Sequence, residues 1–123
     1  MIMTTKEIVL QVIDAFDQND VDKILSLFAD DVIWTMKGST VTISNGKDEV
    51  EKFLGEMDDI KIVSSTHDHI IVDGNKAAVD GFIQCKGKNG KEMNMYYADF
   101  YEVENDRVKI ITSYIVDIVD KKD

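Results

Sequence analysis

Four side chains in the second half of the chain are candidates for acid–base chemistry. They are His67 and His69, the only two histidines of the sequence, and the aspartates Asp80 and Asp99. Imidazole and carboxyl groups are common proton donors and acceptors in enzymes when the fold brings them within hydrogen-bonding distance. Whether these four can act together depends on the register of the strands that carry them.

The turn between the strands of Asp80 and Asp99 predicts their relative position. If Asn89-Gly90 is a two-residue hairpin turn, Asp80 lies directly opposite Asp99. Side chains opposite each other in a ladder are about 5 Å apart, so the two carboxylates repel. Repulsion and burial together favour a proton held on one of them near neutral pH.

The preceding hairpin predicts where the histidines lie. A two-residue turn at Asp73-Gly74 puts His67 opposite Asp80, whereas one at Gly74-Asn75 puts His69 there. Because strand side chains alternate with a period of two, either turn keeps both histidines on the face of the aspartates. We therefore predict a neutral acid beside an imidazole, an arrangement suited to dehydration, isomerisation or cyclisation of a small molecule.

Other interpretations of the same residues stay open. His67 and His69 can be a solvated surface pair. They can also ligate a metal with the carboxylates, but no third histidine or nearby cysteine completes such a set, and we predict no metal site. Alternatively, the whole face forms a dimer interface in which Asp80 and Asp99 are hydrogen-bonded.

Large apolar side chains on the predicted strands are candidates for the wall of a ligand pocket. They are Trp34, Phe82, Met95 and Tyr97. Aromatic residues on strands also form ordinary core, so both interpretations apply to them. Cys85 alternates onto the face opposite Asp80 and is predicted to be a small buried side chain.

The helices that support these strands can be predicted from local patterns. Thr4 and Glu7 form a capping box that begins the first helix. A short second helix follows directly after the first, and a third helix begins at Lys47. Each has one apolar stripe. The first strand, at residues 32–36, precedes the third helix, and a short extended piece at residues 41–43 follows that strand.

The second half of the chain is predicted to form four consecutive strands, because β-branched and aromatic residues alternate with hairpin-turn sequences. These strands are Ile60–Val72, Lys76–Lys86, Glu92–Val103 and Val108–Val119. The length of the last turn decides whether Thr112, Ser113 or Ile111 faces Asp99. Both faces of the last two strands are apolar, and three short helices can cover only one. We therefore predict a homodimer through the sheet.

The composition excludes several classes of function. A net charge of −10 with Arg107 as the single arginine argues against nucleic-acid or phosphate recognition. No apolar run is long enough for a membrane span, and we expect no signal peptide. Cys85 is the only cysteine, which favours the reducing cytoplasm. A chain of 123 residues is predicted to be one domain, 1–123.

The order of the elements, together with the junction Leu27-Phe28-Ala29-Asp30-Asp31-Val32, resembles the nuclear-transport-factor-2-like superfamily. Within it the chain is most similar to the SnoaL-like polyketide cyclase and ketosteroid isomerase branch. The resemblance implies an α+β cone, with three N-terminal helices packed on a strongly bent, mainly antiparallel sheet in the order α-α-β-α-β-β-β-β. It also implies a mostly apolar cavity. Members include isomerases, dehydratases, cyclases, epoxide hydrolases and non-catalytic binding modules, so the fold does not decide the chemistry.

The isomerase pattern is only partly present in this chain. By the resemblance, the general base falls on or near Met36 and the oxyanion-binding tyrosine of the first helix falls near Val12, and neither side chain can serve. Asp99, in Tyr97-Ala98-Asp99-Phe100-Tyr101, matches the carboxyl group that donates to the oxyanion. The superfamily's epoxide hydrolases use an Asp-Arg-Asp set, for which Arg107 is poorly placed.

We therefore expect a protein that binds a small, largely apolar molecule. If it is an enzyme, it is a cofactor-free lyase or isomerase, and not a ketosteroid isomerase of the usual kind. In that case Asp99 donates to the oxyanion, Asp80 is its partner in titration, and His69 or His67 carries the proton. The alternative is a non-catalytic ligand carrier or a protein-assembly module.

Overall fold

The structure is a computed structural model that describes residues 3–119, and it has the predicted α+β order of elements with one additional strand before the third helix. Residues 1–2 and 120–123 of the predicted domain lie outside the described part. The helices are α1 (Thr5–Asp17), α2 (Val21–Leu27) and α3 (Lys47–Glu56). The strands are β1 (Phe28–Lys37), β2 (Val41–Asn45), β3 (Lys61–Asp73), β4 (Lys76–Lys86), β5 (Glu92–Glu104) and β6 (Arg107–Asp117). The short extended piece predicted near residue 41 is thus a strand.

Two of the three helices, α1 and α2, begin where a side chain satisfies a free backbone amide. At the start of α1 the Thr4 hydroxyl accepts from the Glu7 amide at 3.1 Å, and the Glu7 carboxylate accepts from the Thr4 amide at 3.1 Å. This is the predicted capping box. The Asp20 carboxylate accepts from the Lys23 amide at 3.1 Å and caps α2 in the same way.

The six strands form one sheet in the order β2-β1-β6-β5-β4-β3. All neighbours are antiparallel except β1 and β6, which are parallel. The helices and the inner face of the sheet enclose the hydrophobic core, which includes Phe28, Ile8, Ile24 and Ile111. The arrangement is consistent with the predicted cone. None of the helices formed by residues 3–119 is long and apolar enough to cross a membrane.

Of the three hairpins of the meander, the first and the last have two-residue turns and the middle one has a longer connection. Asp73 pairs with Lys76 around Gly74-Asn75, which is one of the two turns predicted there. Between β4 and β5, however, Lys86 pairs with Glu92, so residues 87–91 form a longer connection that includes a 3₁₀ turn. The predicted two-residue turn at Asn89-Gly90 is therefore wrong, and the register of β4 against β5 differs by one residue.

The outer face of the sheet, away from the helices, is unusually apolar. Tyr96, Phe100, Tyr114 and Val116 all lie on it and are exposed, Val116 to 60%. Phe100 and Tyr114 pack edge to face, with ring centroids 5.9 Å apart. The predicted apolar character of both faces of β5 and β6 is therefore present in the structure.

Candidate functional site

A cavity of about 360 Å³ lies between the helices and the inner face of the sheet. All three helices and five of the strands contribute side chains to it. Most of these are apolar, among them Ile13, Phe16, Trp34, Leu54, Ile83 and Met95. A largely apolar cavity of this size, with a few polar groups, is typical of small-molecule sites.

A β-bulge in β3 sends the two histidines to opposite faces of the sheet. His67 pairs with Gly81 and His69 with Asp80, so two steps along β3 correspond to one step along β4. The extra residue, Asp68, breaks the alternation of side chains. As a result His67 points into the cavity and His69 points outwards. The predicted shared face of the two histidines is therefore wrong.

The aspartates are separated as well. Asp80 pairs with Ala98, whereas Asp99 pairs with Val79, and adjacent residues of one strand face opposite ways. Asp80 lies on the outer face, where its carboxylate is 2.8 Å from Nδ1 of His69; the two side chains are 48% and 73% exposed. The predicted pairing of Asp80 with Asp99 is therefore wrong, although His69 does lie opposite Asp80 as one turn option predicted.

Of the predicted pocket wall, three side chains line the cavity and one does not. Trp34, Met95 and Tyr97 are part of the lining. The shift in register that separates Asp80 from Asp99 also places Phe82 on the outer face. There it packs against Tyr96 with ring centroids 6.1 Å apart. Phe82 is therefore not a pocket residue.

Gly81 makes the inward position of His67 sterically feasible. A Cβ atom on Gly81 would lie 1.8 Å from the carbonyl oxygen of Thr66 and 2.7 Å from its carbonyl carbon. No side chain fits there unless the backbone of the bulge moves. The bulge and the glycine opposite it therefore form one structural unit.

His67 is held by hydrogen bonds on both ring nitrogens. Nε2 lies 2.8 Å from the carboxylate of Asp17, the last residue of α1, and Nδ1 is hydrogen-bonded to the Tyr97 hydroxyl. The Ser65 hydroxyl donates to the other oxygen of Asp17 at 2.8 Å. Because an ionised carboxylate only accepts, the neutral ring donates from Nε2 and accepts the Tyr97 proton at Nδ1.

Tyr97 stays a hydrogen-bond donor over the physiological pH range. Burial, and then the nearby charge of Asp99, raise the pKa of its hydroxyl well above the ordinary value. Together, Asp17, His67 and Tyr97 form a hydrogen-bonded relay that ends at the cavity wall. Such an arrangement fixes the orientation and the tautomer of an imidazole.

Asp99 is the second acidic group of the cavity. The Tyr101 hydroxyl donates to it at 3.3 Å, and the hydroxyl of Ser113, which pairs with Asp99 in the ladder of β5 and β6, lowers its pKa as well. Trp34 donates from Nε1 to the Ser113 hydroxyl oxygen at 3.0 Å. Burial raises the pKa of Asp99 to about 6, although the two hydroxyl donors and the charge of His67 oppose the rise. This carboxyl group therefore titrates close to neutral pH.

Asp17 was not among the side chains that the sequence indicated. An aspartate in the last turn of a helix faces the negative end of the helix dipole, and α1 has no basic residue there to compensate. That unfavourable position is the sequence feature that could have indicated a functional role for Asp17. Ser113 was one of the open alternatives for the last hairpin, and the bulge between Glu102 and Val103 places it opposite Asp99.

Within the described part of the chain, no group of three or more histidine, cysteine, aspartate or glutamate side chains could hold a metal ion. Cys85 lines the cavity, and burial raises the pKa of its thiol. Met36, where the isomerase resemblance calls for a base, also lines the cavity, and Val12 is fully buried in the core. Arg107 lies outside the cavity, in a separate surface cleft.

Comparisons with known proteins identify relatives of this architecture. A family model described as a SnoaL-like domain matches residues 9–111. An NTF2-like protein of unknown function from Cytophaga hutchinsonii is similar at 27% identity and a TM-score of 0.68, with 90% of this chain and 98% of that chain covered. No curated protein matches the chain.

Two further solved structures are similar in fold at lower identity. An NTF2-like protein of unknown function from Burkholderia pseudomallei is 22% identical with a TM-score of 0.77, covering 91% of this chain and 90% of that chain. An LEH-like epoxide hydrolase from M. tuberculosis is 14% identical with a TM-score of 0.77, covering 90% and 81%. At these identities the likeness establishes the shared fold.

Proposed function

We propose, from the premise that the chain belongs to the family of SnoaL-like domains, that its cavity binds a small, largely apolar molecule and catalyses proton transfer on it without a cofactor. The observation that carries this proposal is the Asp17–His67–Tyr97 relay, which ends on the wall of an apolar cavity beside Asp99. The reaction class is isomerisation, dehydration or cyclisation.

The relay supports general acid–base catalysis in the following way. When the Tyr97 oxygen takes a proton from the ligand, its own proton passes to Nδ1 of His67. The Asp17 carboxylate, 2.8 Å from Nε2, stabilises the imidazolium that forms. The proton returns by the reverse path to another atom of the ligand, so the protein is unchanged after each turnover.

Asp99 binds the polar part of the ligand in this proposal. It lies two residues from Tyr97 on the same face of β5, so both side chains reach the same region of the cavity. Met36 and Val12 provide no base and no hydroxyl, and Arg107 is outside the cavity. The side chains therefore support neither the usual ketosteroid isomerase set nor the Asp-Arg-Asp set of the epoxide hydrolases.

A ketone with acidic α-hydrogens tests the proton transfer directly. We expect the protein to accelerate deuterium exchange at the α-carbon of 2-tetralone in D₂O, measured by NMR. His67→Gln should lower that rate about 100-fold or more, because positioned general bases contribute at least that much. His69→Gln is the matched control, since His69 lies on the outer face. Equal losses in the two variants would contradict the proposal, and binding without exchange would favour a ligand carrier.

We also propose that two copies of the chain associate through the outer face of the sheet. The helices cover the inner face, and exposed Tyr96, Phe100, Tyr114 and Val116 form a continuous apolar surface on the other. Burying that surface against a second copy removes it from water. A homodimer is therefore the expected state in solution.

Sedimentation velocity at micromolar concentration measures this association. We expect the unmodified protein to sediment as a dimer and Phe100→Lys to sediment as a monomer, because the lysine would place a charge within the apolar surface. Leu10→Lys, an exposed apolar residue on α1, should leave the dimer intact. A monomeric unmodified protein would refute the association.

A further inference from the structure

The titratable side chains that line the cavity are predominantly acidic. They include Asp17, Asp58, Asp99 and Asp117 on the negative side, with Lys61 and His67 as the only basic groups of the lining in the described chain. We infer that the cavity selects organic amines: its ligand is a largely apolar molecule whose polar group is a protonated amine held at Asp99. The inference rests on the proposed ligand-binding function and adds the chemical class of the ligand.

Both basic groups of the lining already have acidic partners. Lys61 forms an ion pair with Asp58 at 3.4 Å, and His67 is hydrogen-bonded to Asp17 at 2.8 Å. The net charge of each pair is therefore zero or negative, and neither pair adds positive charge to the cavity. The carboxylate of Asp117, at the exposed end of β6, adds a further negative charge. The lining is therefore net negative whether or not His67 and Asp99 hold a proton.

Asp99 is the carboxyl group best placed to bind a cation. The polar groups beside it, Tyr101 and Ser113, are neutral hydroxyls, which do not cancel its charge. A carboxylate in an enclosed apolar site interacts strongly with an ammonium group, because water screens the pair only weakly there. Within the protein, the charge of His67 opposes the negative charge of Asp99 only indirectly. A protonated amine on the ligand would neutralise that charge directly.

The aromatic side chains of the cavity favour the same ligand class. Phe16, Trp34, Tyr97 and Tyr101 all contribute to the lining. Aromatic rings attract ammonium groups through the negative potential of their faces, in addition to packing against apolar skeletons. Aromatic rings beside an enclosed carboxylate are thus the chemistry that recognises an organic cation.

An anionic ligand would meet the opposite conditions. Arg107, the single arginine, lies with Lys47 and Lys109 in the surface cleft outside the cavity. Carboxylate and phosphate ligands need such donors, and the net charge of −10 repels them from a distance as well. The cavity is therefore expected to discriminate against acids of the same apolar shape.

Three probes with one skeleton test the inference: 1-adamantanemethylamine, 1-adamantanemethanol and 1-adamantanecarboxylate. Their binding near pH 7.5 can be followed by the fluorescence of Trp34, the single tryptophan, which lies on the cavity wall. We expect the amine to bind about tenfold more tightly than the alcohol, and the alcohol more tightly than the carboxylate.

The variants make the outcome specific to Asp99. Asp99→Asn should reduce the preference for the amine over the alcohol to less than about threefold, while the alcohol itself still binds. Asp80→Asn, on the outer face, should leave all three affinities unchanged. Equal binding of amine and alcohol, tighter binding of the carboxylate, or a preference that survives Asp99→Asn would each overturn the inference. In those cases the proposed ligand site itself stands; if none of the probes binds, both proposals fail.

Discussion

Gly81→Ala is expected to lower the free energy of unfolding by about 3 kcal/mol and to abolish the activity that depends on His67. The added Cβ atom would lie 1.8 Å from the Thr66 carbonyl oxygen, so the bulge in β3 must move. Because the clash is with backbone atoms, a change of rotamer cannot relieve it. Movement of the bulge displaces His67, whose contacts with Asp17 and Tyr97 depend on it.

Two measurements check this prediction. Urea unfolding gives the change in stability, and deuterium exchange of 2-tetralone gives the loss of proton transfer. Gly55→Ala is the matched control, because a Cβ atom there has open space and Gly55 lies in α3, where alanine favours the helix. A Gly81→Ala protein as stable and as active as the Gly55→Ala protein would show that the bulge does not need glycine opposite it.

Asp99→Asn is expected to gain stability relative to the unmodified protein as the pH rises from about 4 to about 7. Burial raises the pKa of Asp99 from an ordinary 3.8 to about 6 in the folded state. The folded state therefore favours the protonated form of Asp99. This form contributes its full stabilisation at pH values below the pKa of Asp99 in the unfolded chain. That contribution is lost as the pH rises through the folded value. Asparagine does not titrate, so the variant avoids the loss, which amounts to about 2–3 kcal/mol.

Urea unfolding of both proteins at a series of pH values measures this difference, since contributions from groups common to both cancel. Ser113→Ala provides a second test of the cause. The Ser113 hydroxyl lowers the pKa of Asp99, so its removal should move the midpoint of the pH dependence above 6. A stability difference between Asp99→Asn and the unmodified protein that does not change with pH would mean that Asp99 is not buried as described.

The elements of the fold could be predicted because their signals are local. The capping box of Thr4 and Glu7 begins α1 as predicted, since both residues belong to one helical turn. The helix-to-strand junction was correct in order but not in extent. The first strand begins at Phe28 and not at residue 32, because the segment with Asp30 and Asp31 continues the strand across an irregularity in register.

The register of the strands could be predicted only where the turn was simple. The two-residue turn at Gly74-Asn75 does bring His69 opposite Asp80. The connection at residues 87–91 is longer than its Asn-Gly sequence indicated, and the resulting shift of one residue moved Asp80 and Phe82 to the outer face. An error of one residue reverses every side chain of a strand, because the period is two.

The sequence by itself determined the architecture, the family resemblance and the acidic character, and it indicated Asp99 and His67 as candidate site residues, both of which line the cavity. Only the tertiary structure decided which groups meet. Asp17 is 50 residues from His67, and their contact depends on how α1 packs on the sheet and on a bulge at Asp68. Periodicity and capping are properties of neighbours in the chain, whereas the geometry of a site depends on register and packing between distant segments. That is why the elements could be predicted from the sequence and the relay could not.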